Sequence, residues 1–309
     1  MPDGSAASAT SNRKFPRKDE TIMLKYRLLF GMIMSVVFLG LIVLDAHWDG
    51  SLTQSTSPSP MQAPFFTILI ALLAIPAQFE LGNLIRQTGG HLFKSISIPA
   101  SILLATVFFW GQLSNQPDFF IMMYLLFVPA FSFLALFFVQ ARKFGTDGTI
   151  RNISAGFFSI MYLGFLCAFI LGIRVQWGPW VLLLFIFTIK SSDIGAYTLG
   201  RLFGKHKMAP RVSPGKTWEG LGGAMLFAAL VSFGFSHFSG IMSPLAALLF
   251  GAVFGVLGQL GDLAESMIKR DAASKDSSTH IPGFGGILDV IDSPLATAPA
   301  AFVFFYFLL

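Results

Sequence analysis

Residues 119–140 read Phe-Phe-Ile-Met-Met-Tyr-Leu-Leu-Phe-Val-Pro-Ala-Phe-Ser-Phe-Leu-Ala-Leu-Phe-Phe-Val-Gln, with no charged side chain among them. About 20 consecutive apolar residues are needed for a helix to cross the hydrocarbon core of a bilayer. This stretch meets that length, and the rest of the chain repeats the pattern. Candidate spans fall at 26–44, 64–84, 96–115, 119–140, 153–173, 178–197, 218–238, 243–263 and 286–309. The last three carry Gly and polar residues, so their limits are softer. The fold class expected is all-α: a polytopic membrane protein with about nine transmembrane helices.

Composition agrees. Of 309 residues, 54% are hydrophobic and only 12% charged, whereas a soluble domain carries roughly 25% charged residues. The 35 Phe residues belong in a lipid-facing or helix-packed interior. The net charge of +5 does not point to nucleic acid, because the Lys and Arg residues sit at the ends of apolar runs. Cys167 lies inside such a run and reads as a small packing residue. Residues 1–25 read as a basic, disordered tail without the apolar core of a signal peptide. Residues 45–63 form a Ser/Thr/Pro-rich loop.

The basic residues also give an orientation. Lys25, Arg86, Lys94, Arg142, Lys143, Arg151, then Arg201, Lys205, Lys207, Arg211 and Lys216, then Lys269, Arg270 and Lys275 all fall in loops on one side. Arg174 is the one exception. The positive-inside rule puts the N-terminus in the cytoplasm and the C-terminus outside.

The two halves differ in character. Residues 26–175 are a hydrophobic scaffold in which Glu80 stands out. It lies near the cytoplasmic end of its span, where Arg86 is available as a partner. Residues 176–309 hold the chemistry. Lys190-Ser191-Ser192-Asp193 cannot all face lipid and must line a polar cavity or contact other helices, though Lys190 and Asp193 also suit an i, i+3 pair. Glycines and five cations lie in 200–220, among them Arg201, Lys205 and Lys216, with Ser213 nearby. Such a loop suits phosphate, although it is not a Walker motif. On the helix that follows, Asp262, Glu265, Ser266 and Lys269 share one face. Asp289 and Asp292 sit at i, i+3 at the start of the next helix, where helix-end carboxylates are favoured in any case. Carboxylates facing cations at the membrane edge suit a metal-bound nucleotide triphosphate, with Mg²⁺ as the expected cofactor and a second, monovalent or divalent, cation left open.

Residues 266–292 resemble the signature of the phosphatidate cytidylyltransferase (CDP-diacylglycerol synthase) family. The matching positions are Ser266, Lys269, Arg270, Lys275, Asp276, Pro282, Gly285, Gly286, Asp289 and Asp292, in the family spacing. Residues 213–220 and 258–262 are similar as well. Phe284 and Val290 replace a family His and Arg. The resemblance implies attack of a phosphatidic acid oxygen on the α-phosphorus of CTP, with release of pyrophosphate. It makes Asp262, Lys269, Asp276 and Asp289 the catalytic candidates, and Asp262, Asp289, Asp292 and Glu265 the metal ligands. Ser192, Asp193, Arg201, Lys205, Ser213, Lys216, Ser266, Arg270, Lys275, Gly285 and Gly286 become substrate contacts. The expected location is a bacterial inner membrane, and a homodimer is left open. Two alternatives stand beside this reading: a CTP-dependent lipid or polyprenol kinase, and an ion-coupled transporter built on Lys190 and Asp193.

Overall fold

The computed structural model describes residues 17–52, 61–278 and 285–309. The first part of the basic tail, residues 53–60 of the Ser/Thr/Pro loop, Pro282 and Phe284 lie outside them. The chain is helical almost throughout: α1 (Arg17–Trp48), α2 (Pro64–Gln87), α3 (Lys94–Ala105), α4 (Val107–Gly111), α5 (Pro117–Phe144), α6 (Thr149–Ile160), α7 (Leu166–Phe203), α8 (Trp218–Ser239), α9 (Pro244–Asp271) and α10 (Ile287–Leu308). A π-helical turn, Met161–Phe165, joins α6 to α7, and a small antiparallel hairpin, β1 (Lys207–Ala209) with β2 (Ser213–Thr217), precedes α8. The all-α membrane architecture holds, and the hairpin is an addition that the sequence did not announce.

Among the described residues, seven helical stretches are long and apolar enough to cross a bilayer. The difference from nine has two sources. The third expected span is broken at Thr106 into α3 and α4. The fifth and sixth run as one helical stretch, Thr149–Phe203, of 55 residues. At 1.5 Å per residue a straight rod of that length would measure about 80 Å, far beyond the ~30 Å core. It is not straight. Gly178 has φ 83° and ψ −176°, a conformation open essentially to glycine alone, and Pro179 starts the next helical turn. Before Gly178, Ser159 lies level with Gln78 in α2, and Phe169 packs on Phe302 at 5.5 Å. Trp177, just before the break, still packs on Phe302 at 5.0 Å, whereas after it Lys190 reaches the Val290 carbonyl at 2.8 Å, back toward the start of α10. The chain therefore reverses at Gly178.

The opening stretch explains itself in α5. Only Ile121, Ser132, Leu136 and Gln140 of that helix are buried, while Phe131, Leu134 and Phe138 lie on the outer surface. In α7, α8 and α9 the opposite holds. A Cβ on Gly195 would stand 2.3 Å from the Gly223 carbonyl oxygen, and one on Gly251 would stand 2.3 Å from Ala229 Cα. Small residues let these backbones touch, which is how membrane helices associate when lipid offers no hydrophobic drive.

Arg174, the exception in the charge pattern, is fully buried between Asp45 and Asp49, at 2.8 and 2.7 Å. The two aspartates also accept the amides of Ala63, Phe65 and Phe66 at the start of α2. So α1 runs further than expected, through Asp45 to Trp48, and its end ties α2 and α7 together.

Replacing Gly195 by Leu should prevent α7 from seating on α8, and thermal unfolding in detergent should show a loss of about 1–3 kcal/mol or more, the usual overpacking range. Gly222→Ala, where a Cβ meets nothing within 4 Å, should leave stability equal or slightly higher.

Candidate active site at one membrane face

Four helix ends and the hairpin converge on a cavity of about 450 Å³. Helical spacing does what the sequence suggests. Asp262 and Glu265 of α9 join Asp292 of α10, with a carboxylate oxygen from each lying within 4.8 Å of the others. Lys269, one turn beyond Glu265, bonds to it and also to Asp289 at 2.5 Å. Lys216, at the end of β2, reaches the Asp262 carboxylate at 2.9 Å and donates to the Gln259 carbonyl at 2.7 Å. Lys190 pairs with Asp193 at 3.6 Å, and Gln259 donates to Asp193 at 3.2 Å.

The charge within this cluster does not balance. Among the described residues, Asp193, Asp262, Glu265, Asp289 and Asp292 have only Lys190, Lys216 and Lys269 as ion-pair partners, a formal excess of two negative charges within the paired cluster. Glu265 and Asp292 are only 2% and 5% exposed. Glu265 Oε2 meets Lys269, but its Oε1 has no hydrogen-bond partner among the described residues. Buried charge of that kind is expensive unless compensated. Three converging carboxylates fit a hard divalent cation such as magnesium, which takes oxygen ligands.

Asp289 stands apart from that trio. Besides Lys269, it accepts the Gly286 amide at 2.7 Å, the Ser277 amide at 3.1 Å and the Ser277 hydroxyl at 2.7 Å. Its oxygens close the N-terminal turn of α10. Gly285 adopts φ 90° beside it, and a Cβ on Gly286 would lie 2.0 Å from Ser277 Oγ. The double glycine therefore permits close packing of backbone on carboxylate.

Other expected residues divide between wall and support. Asp193, Arg201 and Ser213 line the cavity. Ser192 is fully buried, with its hydroxyl toward Gly258 of α9. Ser266 is buried, 3.5 Å from Asp262. Arg270 points away, donating to the Val212 and Ser274 carbonyls at 3.1 and 2.9 Å, and so ties the hairpin and the following loop to α9. Lys205, Lys275 and Asp276 are exposed, outside the cavity wall.

Two contacts escape sequence reading. Lys190 donates to the Val290 carbonyl at 2.8 Å. That carbonyl would normally accept from residue 294, but Pro294 has no N–H. Glu80 does not pair with Arg86. Its carboxylate accepts the amides of Ile287 and Leu288 at 3.1 and 3.0 Å, and the hydroxyls of Ser277 and Ser278 at 3.2 and 2.9 Å. A carboxylate in an apolar span was the available signal, but its partners lie about 200 residues away. Glu80 caps α10 from the scaffold half and sets the height at which Asp289 and Asp292 enter the cavity.

Fold and site together define an integral membrane protein with a carboxylate–lysine centre at one face. The chain belongs to the cytidylyltransferase family, whose model matches residues 25–308. It is similar to the phosphatidate cytidylyltransferase of Bacillus subtilis, 32% identical over 93% of this chain and 97% of that protein. It is also similar to the phosphatidate cytidylyltransferase of Haemophilus influenzae, 45% identical over 41% of this chain. The Escherichia coli protein YnbB, uncharacterized, is 37% identical over 60% of this chain. The last two matches span 46% and 63% of those relatives' own lengths.

Glu80→Gln should remove the acceptor for at least one α10 amide. Hydrogen exchange should rise across 277–288, with a stability loss of about 1–3 kcal/mol, the range for an unsatisfied buried donor. Asp118→Asn, an exposed helix-end change, should do neither.

Proposed function

We propose that this protein transfers CMP from CTP to phosphatidic acid, yielding CDP-diacylglycerol and pyrophosphate, as a step of phospholipid biosynthesis. The observation that carries the proposal is the trio Asp262, Glu265 and Asp292, held in negative excess beside lysines at a membrane-edge cavity. The likeness to the phosphatidate cytidylyltransferases supports the choice of substrates. A magnesium ion held by these three would neutralise charge on the triphosphate.

The chain's own groups have distinct tasks. Lys216 rests on Asp262 and can turn to a phosphate oxygen when nucleotide brings one. Arg201 and Ser213 on the wall offer further donors to the phosphates. Lys269 keeps Glu265 and Asp289 fixed, so the carboxylates do not move as charge develops. The lipid phosphate oxygen attacks the α-phosphorus, and pyrophosphate leaves on the opposite side. No covalent enzyme intermediate is needed. A lipid acceptor explains why the cavity lies at the membrane edge. The same reading takes nine crossings, the N-terminus and the site facing the cytoplasm of a bacterial inner membrane, and the C-terminus outside.

CTP labelled at the α-phosphate, incubated with phosphatidic acid and the detergent-solubilised protein, should put label into the lipid extract. Label that enters only from the γ-phosphate would make the protein a kinase and end this reading. Asp262→Asn and Asp292→Asn should each lower the rate by about 100- to 1,000-fold, the scale of a lost transition-state contact. Their double variant should be scarcely worse, because ligands of one ion are not additive. Retained activity with unchanged magnesium dependence in either single variant would remove that residue from the metal site. A reporter fused after Ser274 should read cytoplasmic, and one fused after Leu309 should read external. The same side for both would remove one crossing.

A further inference from the structure

A second cavity, of about 340 Å³, lies between the end of α2 and the start of α3. It opens on the same membrane face as the candidate site, since α2 runs on from Glu80 past Arg86 to reach it. Its wall carries Arg86, His91, Lys94 and Lys143, and no carboxylate. None of these cations forms an ion pair among the described residues, and neither do the neighbouring Arg142 and Arg151. The lysines of the candidate site behave differently: Lys190, Lys216 and Lys269 are each paired with a carboxylate. The unpaired charge is felt at His91. Burial first, then Lys143, Lys94 and Arg86, hold its imidazole below the usual range.

The cavity is built rather than incidental. The His91 amide donates to Asn152 Oδ1 at 2.9 Å, Asn152 donates to Gln140 at 3.0 Å, and Gln140 donates to the Asp147 carbonyl at 2.7 Å. Asn152 and Gln140 are both buried. A Cβ on Gly90 would lie 2.9 Å from Ile85, so the floor has no room for a side chain there. Lys94 Nζ sits 4.0 Å from the Phe79 ring centroid, and Phe79 faces outward, 46% exposed. An ammonium resting on an outward-facing ring marks the depth of lipid headgroups.

We infer that this pocket binds the phosphate of an acidic lipid headgroup, at a site separate from the candidate active site. The positive-inside rule accounts for Lys and Arg in these loops. It does not account for their convergence on one cavity without a counter-charge. Phosphate on a lipid supplies that charge at the right depth. The inference does not depend on the proposed reaction.

The test uses the full chain in nanodiscs of neutral phosphatidylcholine, without CTP or magnesium. A fluorescent short-chain phosphatidic acid is titrated, with phosphatidylglycerol and inorganic phosphate as competitors. The expected result is saturable binding displaced by phosphatidylglycerol, weakened about tenfold or more in the double variant Arg86→Gln/Lys143→Gln and unchanged in Asp118→Asn. Lost cations can disturb membrane insertion, so Asn83→Trp is the companion variant. It keeps every charge and fills the cavity that Asn83 lines, and should weaken binding to a similar degree. Full binding in both pocket variants, or loss only in Lys216→Ala, would overturn the inference. So would displacement by inorganic phosphate as effective as displacement by lipid, which would mark a site for a solution anion. Saturable lipid binding here, with no label entering lipid in the separate assay with α-labelled CTP and magnesium, would instead refute the proposed reaction and leave the pocket standing.

Discussion

A bilayer offers no hydrogen-bond partners, so each polar group drawn into it must find one within the protein. An unsatisfied group costs several kcal/mol there. The polar architecture of this chain follows from that constraint. Asp45 and Asp49 cannot stay unpaired at the end of α1, and they take Arg174 together with the free amides of α2. Pro294 strips a carbonyl of its donor, and Lys190 arrives from α7 to replace it. The first turn of α10 has amides to satisfy, and Glu80 crosses from α2 to accept them. Each repair joins segments far apart in the chain, so satisfying the backbone also assembles the tertiary structure.

The candidate site is the place where such repair is left incomplete. Glycine contacts among α7, α8 and α9 bring the backbones close enough for short carboxylates to meet. Lysines neutralise part of the charge, and Glu265 Oε1 is left without a partner among the described residues. A stable fold tolerates that excess if an ion brings the missing charge, which links metal binding to the integrity of the site. Two kinds of carboxylate result. Asp262, Glu265 and Asp292 point at a common centre, while Asp289 is used up by Lys269 and the turn before α10.

The legible part of this in the sequence was whatever depends on local periodicity. The spacing of Asp262, Glu265 and Lys269 places them on one helical face, and they do meet in the structure. The apolar runs located the helices, because span length is set by bilayer thickness. Roles that depend on long-range geometry were not legible. Nothing local distinguishes Asp289 from Asp292, since which one turns toward α9 depends on the cap of α10. Arg270 looks like a phosphate contact in the motif, yet it holds the hairpin, whose existence the sequence did not signal. The break expected between spans 153–173 and 178–197 does fall at the reversal, because Gly178 leaves the helical conformation and Pro179 starts the next segment.

The clasp between Glu80 and α10 also sets an order of events during synthesis. Glu80 is translated about 200 residues before the amides it accepts. Until α10 has entered the membrane and docked on α2, the trio lacks Asp292, and Lys269 lacks Asp289. A nascent or truncated chain can therefore insert its earlier helices without completing the centre.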